Sequence, residues 1–391
     1  MRLNSIEISI GNLIKIVFFL LFSAIIFPGL HVQMLALENN PPPLHVVVFN
    51  GNGADPFCVM ETLEALKIDK GIKPSAITAV ELLSGNLNHV DVIVFPGGSG
   101  SKQYNNLGSS LIKKIRSFLL EDGKGVVGIC AGAYLISTTP DYPCLNLVEA
   151  NAIDREHDER GSALSEVSFS ADGHKIFPEM KSLPFGYIQY HDGPVFIPSK
   201  NSAQPSFREL ALFKSDIHLT GNAPAGMTPG KPFLLCQEVG KGRVFACAGH
   251  PESTIGMRWL VPRMARWAAK KELVVYSPEV VRPQLEKKEI LHSDQVETEL
   301  FWQLCVNNPA IQKSALEKLV ALRFRNGSRW ALGLLRDNNP DIRIAAAKAL
   351  AETEYTVALP DLEAAVAVEK DPACKIELEK FLQHLKHFIG Q

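Results

Sequence analysis

The stretch GVVGICAGAYL, residues 125–135, decides how this chain is read. An apolar run reaches Ile129, a thiol follows at Cys130, and small residues open the next segment. A short apolar run closed by small residues reads as a buried strand. The glycines flanking Cys130 let the chain turn sharply from strand to helix. Gly128-x-Cys130-x-Gly132 is the thiol version of the G-x-S-x-G elbow, which holds a nucleophile in the open at a helix N-terminus. The helix dipole favours negative charge there, and the N–H of Ala131 points to where an oxyanion would form. A lone cysteine after an apolar strand is more often a small core residue, so the surrounding chain must decide.

Two features raise the chemical reading. FPGGSG (95–100) ends the neighbouring strand, and the N–H groups of Gly97 or Gly98 would complete an oxyanion hole. His250-Pro251-Glu252 follows the apparent hairpin QEVGKGRVFACAGH (237–250). Proline disfavours a helical His250, and an extended backbone places Glu252 on the same side, able to orient the imidazole. Nucleophile, base and orienter are then Cys130, His250 and Glu252.

The flanking segments alternate. LHVVVFNGNGADP (44–56) and VDVIVFPGGSG (90–100) are buried strands, and AITAVELL (76–83) is strand-like. PFCVMETLEALK (56–67) and SSLIKKIRSFLLEDG (109–123) have helical spacing, the latter with Ser109 or Ser110 as cap and Gly123 as stop. This alternation predicts a flavodoxin-like α/β fold, a mostly parallel sheet with helices on both faces. β-rich pieces follow from about 148 to 244, and IGMRWLVPRMARWAAKK (255–271) is a closing helix kinked at Pro262. Tyr190, His191 and Asp192 line the pocket mouth or make a turn. Asp154, Arg155 and Arg160 belong to a charge-dense loop that is either solvated or in contact with a carboxylate-bearing substrate. Arg258 and Arg263 read as structural.

VVVFNGNGA (46–54), VFPGGSGSKQYNNLG (94–108), GVVGICAGAYL (125–135), YHDGPVF (190–196) and GKGRVFACAGHPE (240–252) together resemble the class I glutamine amidotransferase superfamily. Within it they are most similar to the domain at the N-terminus of some eukaryotic biotin-protein ligases. The resemblance covers about residues 44–272. It implies Cys130 as nucleophile, His250 as base and Glu252 as orienter. The ligase domain's place is taken by other sequence, so biotin transfer is not implied.

That other sequence repeats. NNPAIQKSALEKL, NNPDIRIAAAKAL and KDPACKIELEKFL place Pro309, Pro340 and Pro372 about 31 to 32 residues apart, the period of a helical solenoid. They resemble HEAT repeats, whose stacked helices imply a protein partner.

The first segment stands apart. Residues 16–37 carry no Asp, Glu, Lys or Arg, after Arg2 and Lys15. They read as an export signal cleaved near Ala36 or as a membrane anchor. Either puts the rest outside the cytoplasm, periplasmic or extracellular, or tethered at a membrane. The expected divisions are 1–37 (signal or anchor), 38–43 (linker), 44–277 (α/β domain), 278–295 (linker) and 296–391 (helical repeats). A formal net charge of −2 without a basic stripe excludes nucleic acid as partner. Seven cysteines show no CxxC or His/Cys zinc spacing, so neither metal nor cofactor is expected. The function read here is hydrolysis of a small amide or peptide through a thioester, as an amidase, peptidase or amidotransferase-like enzyme. The alternative is a non-catalytic ligand-binding or scaffold protein.

Overall fold

The computed structural model describes residues 42–155, 159–199, 207–218, 223–285 and 294–390. The expected signal or anchor at 1–37 and most of the linker at 38–43 lie outside these residues, as do residues 286–293 of the second linker. Among the described residues no helix is long and apolar enough to cross a membrane.

The strands are β1 (Leu44–Phe49), β2 (Ile72–Ile77), β3 (Val92–Phe95), β4 (Gly125–Ile129), β5 (Ala150–Ala152), β6 (Ser162–Phe169), β7 (Gly186–His191), β8 (Phe196–Pro198), β9 (Arg208–Phe213), β10 (Pro232–Val239) and β11 (Gly242–Cys247). Nine of them form one sheet in the order β2-β1-β3-β4-β11-β10-β9-β6-β7, and β5 pairs with β8. From β2 to β11 every pairing is parallel. From β11 to β7 every pairing is antiparallel.

In the parallel half, side chains alternate between two apolar layers. Val46, Val48, Val92, Val94 and Ile129 enter one layer with helices α1 (Pro56–Leu66) and α6 (Leu260–Ala268). Val47, Phe49, Ile93, Phe95 and Val126 enter the other with α2 (Ala79–Ser84), α3 (Gly100–Leu120) and α4 (Ala131–Ile136). A strand covered on both faces has no reason to alternate with polar residues, which is why these runs read as continuous. The short helix α5 (Ala171–Ile176) packs beside β9.

The helical part contains α7 (Asp294–Cys305), α8 (Pro309–Ala321), α9 (Pro340–Glu352), α10 (Leu359–Val368) and α11 (Pro372–Lys386). Each repeated proline is the first residue of a helix, capped by the side chain before it, Asn308, Asn339 or Asp371. The apolar faces of these helices join the α1/α6 layer rather than forming a separate core.

Two local expectations are corrected and one is met. AITAVELL is half helix, because Thr78 and Glu81 form a reciprocal capping box that starts α2. Pro262 lies in the first turn of α6, where its missing N–H costs nothing, so no kink follows. The helix expected from Ser109 is present, set off by the non-helical Gly108 (φ +66°, ψ 166°) from a shorter helical stretch that begins at Gly100.

Candidate active site

Cys130 stands between β4 and α4 with φ +51° and ψ −110°, outside the regions open to most L-residues. Both flanking glycines are required by close approach. A Cβ on Gly128 would lie 2.5 Å from the Gly132 carbonyl oxygen, and one on Gly132 would lie 1.9 Å from that of Phe95. The Cys130 N–H donates to the Cys247 carbonyl (2.9 Å), tying the elbow to the end of β11. The thiol donates to the His191 carbonyl (3.4 Å).

The structure brings His250 and Glu252 to the same place. His250 leaves β11 at φ −116°, ψ 71°, and Pro251–Ser253 form a 3-10 turn. A turn rather than an extended run therefore brings Glu252 back, with Oε1 2.7 Å from His250 Nδ1. The His250 N–H donates to the Gln189 carbonyl (2.7 Å). Burial works against protonation of His250. The charges of Cys130 and Glu252, and hydrogen bonds to the Cys130 and Cys58 side chains, outweigh it, and the pKa stands well above the usual histidine value.

Cys58 is the site residue that sequence reasoning missed. It lies in the first turn of α1, where the Asp55 side chain accepts from its N–H (3.1 Å), and its thiol lies within 4.8 Å of a His250 ring nitrogen. It faces the cleft only in part, and burial pushes its thiol up to about 11, with the His250 contact opposing. The only signal for it was a cysteine just after the β1 loop, which has no motif. Donor atoms of Cys58, His250 and Glu252 lie within 4.8 Å of one another. Two of them are engaged in the Nδ1–Oε1 hydrogen bond, so the set reads as a hydrogen-bonded relay rather than a metal centre.

Of the expected oxyanion donors, the N–H groups of Gly97, Gly98 and Ala131 bond to nothing among the described residues. Gly98 (φ +128°) and Ala131 line the same cleft as Cys130, His250 and Cys58, a space of about 620 Å³. A second cleft of about 360 Å³ adjoins it and shares Asp55, Cys58, His191 and His250.

Tyr190 is buried and donates to the Gly193 carbonyl (2.5 Å). His191 is exposed beside Ser162 and lines both clefts. Asp192 (φ +46°) accepts from the Arg160 and Gly161 N–H groups at 2.7 Å each, so it makes the turn. The charge-dense loop is not a solvated one throughout. Asp154 and Arg160 are fully buried, 3.6 Å apart, and Asp154 also accepts from Tyr134 (2.7 Å) and the Val195 N–H (3.1 Å). Burial raises the Asp154 carboxyl to about 6, against these partners. Arg155 remains at the cleft.

The helical repeats hold the site from behind. Arg258 donates to the Glu252 carbonyl (3.1 Å) and to that of Glu354 (3.0 Å). Glu354 accepts from the Gly256 N–H (2.8 Å), and Glu64 of α1 accepts from Thr356 (2.8 Å). All seven cysteines carry free thiols.

The parallel half of the sheet thus ends in a cysteine at a strained strand-to-helix elbow, with a buried His–Glu pair beside it. Residues 44–148 match the family "Biotin-protein ligase, N terminal", and residues 298–383 match "HEAT repeats". The two matches bear out the families read from the sequence, the first of them over residues 44–148 of the 44–272 expected. No curated protein matches the chain. Among solved structures, a ThuA-like protein from Parabacteroides merdae aligns at 12% identity, over 63% of this chain and 96% of its own, with a TM-score of 0.44. A β-galactosidase from Bacillus circulans sp. alkalophilus aligns at 14% identity over 65% of this chain and 34% of its own (TM-score 0.36). A cytoplasmic protein from Salmonella typhimurium aligns at 12% over 58% and 97% (TM-score 0.36). At these scores the three likenesses carry no argument about activity.

Proposed function

We propose that the protein hydrolyses an amide through a thioester on Cys130. His250 holds the proton given up by Cys130, and the sulfur attacks the carboxamide carbon. The resulting oxyanion is met by the N–H of Ala131 and of Gly98 or Gly97. The tetrahedral centre collapses as His250 returns the proton to the departing amine or ammonia. Water, deprotonated by His250, then cleaves the thioester. Glu252 holds Nδ1 and stabilises the imidazolium.

The observation that carries this reading is the backbone of Cys130, φ +51° and ψ −110°. A non-glycine residue there costs of order 1–3 kcal/mol, and such strain clusters at active sites. A core cysteine has no need of it. The test is trapping with a glutamine-like diazoketone, followed by mass spectrometry. An adduct on Cys130 that disappears in His250→Ala supports the reading. An unmodified Cys130 in folded protein, with ready alkylation after denaturation, would sink it.

A second reading, a binding scaffold, draws on the repeats, a fold generally used for protein interaction, where Trp302, Val368 and Ile376 are exposed. Export or tethering by residues 16–37 belongs to the same proposal. It is tested by fusing residues 1–60 to alkaline phosphatase, which is active only outside the cytoplasm. An inactive fusion would reverse it.

A further inference from the structure

The second cleft has one wall from each part of the chain. Its floor carries Cys58 and His250, and its far wall is the segment after α8, including Arg323, Asn326 and Arg329. That wall is fixed to the site. The Gln189 side chain donates to the Arg323 carbonyl (3.3 Å), and the Gln189 carbonyl holds the His250 N–H (2.7 Å). Arg325, in the same segment, is anchored by Glu61 of α1 (2.5 Å).

On this wall Arg329 has an unusual position. Its guanidinium lies 5.6 Å from the ring centre of Phe57, the residue before Cys58, and 5.8 Å from that of Trp330. It is exposed and makes no ion pair or side-chain hydrogen bond among the described residues. A guanidinium packed on an aromatic face keeps its N–H edges free for a carboxylate, which it binds in two-pronged fashion.

We propose that Arg329 binds the carboxylate at the free C-terminal end of a peptide-like substrate. This rests on the reading of Cys130 as nucleophile for its place in a reaction, and it names the substrate class. The carboxylate end sits under the helical repeats, and the chain runs past His250 into the larger cleft, where its carboxamide meets Cys130. Two adjoining clefts of about 360 and 620 Å³ suit a ligand of several residues better than a single amino acid. The repeats thereby act in substrate selection, and Arg329 is a specificity residue.

The test uses the full chain carrying Cys130→Ser, so that binding is read apart from chemistry. The probes are acetylated oligoglycines of one to four residues, each as the free acid and as the C-terminal amide, titrated by NMR. The acid of at least one length should bind about tenfold more tightly than its amide, the size of one charge-assisted contact. Arg329→Gln should erase that preference, and Arg329→Lys should restore part of it. Arg329 is exposed, so folding is not at stake. Equal binding of acid and amide at every length, no binding at all, or a preference that survives Arg329→Gln overturns the proposal. Chloroacetyl-oligoglycine acids on the unsubstituted chain read the nucleophile separately. The Cys130 sulfur displaces chloride to form a thioether, and the proton given up by the thiol is held on His250. Intact acid selectivity with Cys130 unlabelled would leave the Arg329 site standing and remove the hydrolase reading.

Discussion

Arg325 of the helical repeats and Glu61 of α1 form an ion pair 2.5 Å long from which water is wholly excluded. The pair crosses from one part of the chain to the other, and Arg325 continues to the carbonyl of Thr353 (2.8 Å). Removing one partner leaves the other charge buried and uncompensated. Arg325→Met or Glu61→Leu alone should therefore destabilise the chain by about 3–5 kcal/mol, whereas the double substitution should recover much of that loss. Urea unfolding of the three variants checks this, and a double variant no better than the singles would refute it. Removal of the repeats should be at least as damaging, because Glu61, Glu64 and Arg258 would lose partners together.

Gly97 lies against both the second thiol and the base. A Cβ there would come 2.8 Å from Cys58 Sγ and 2.8 Å from His250 Cε1. Gly97→Ala should push the imidazole off Cys130 and cost about 1–3 kcal/mol through overpacking. Cys130 trapping should fall far more than stability does. Unchanged trapping would mean that His250 is not held where the reaction needs it.

The proton on His250 predicts a pH dependence with a definite sign. Its folded-state pKa is raised from 6.5, with Cys130 and Glu252 favouring the charged ring against its burial. The folded state thus keeps a proton that the unfolded chain releases. The stabilisation is complete below about pH 6.5 and is lost as pH rises through the folded value. Glu252→Gln removes one of these charges, so the imidazole should titrate at lower pH, as followed by NMR. An unmoved titration would separate Glu252 from the base.

Alkylation by iodoacetamide near neutral pH should sort the thiols. Cys58, with its thiol at about 11, and the buried Cys236 and Cys247, both raised by burial, should react slowly. Cys130 should react faster than these three, and His250→Ala should slow it while leaving the exposed Cys305 unaffected. Equal rates at Cys130 and Cys58 would show that the elbow does not activate its thiol.

Much of this protein is local, and the local part was legible. Buried strands show as unbroken apolar runs because both faces are covered. Gly128 and Gly132 mark the elbow because no side chain fits against the carbonyls of Gly132 and Phe95. Asn308, Asn339 and Asp371 before proline mark helix starts because capping and a fixed φ act over a few residues. His250 and Glu252 could be paired because they are two residues apart. Tertiary structure alone decided that Cys58 reaches His250, that Asp154 and Arg160 are buried together, and that Arg325 meets Glu61 across 264 residues of sequence. A charged or thiol side chain bears no local sign of whether it will meet water or a partner. Burial and pairing are set by which surfaces the fold brings together, so they appear only once the repeats have packed against α1 and α6.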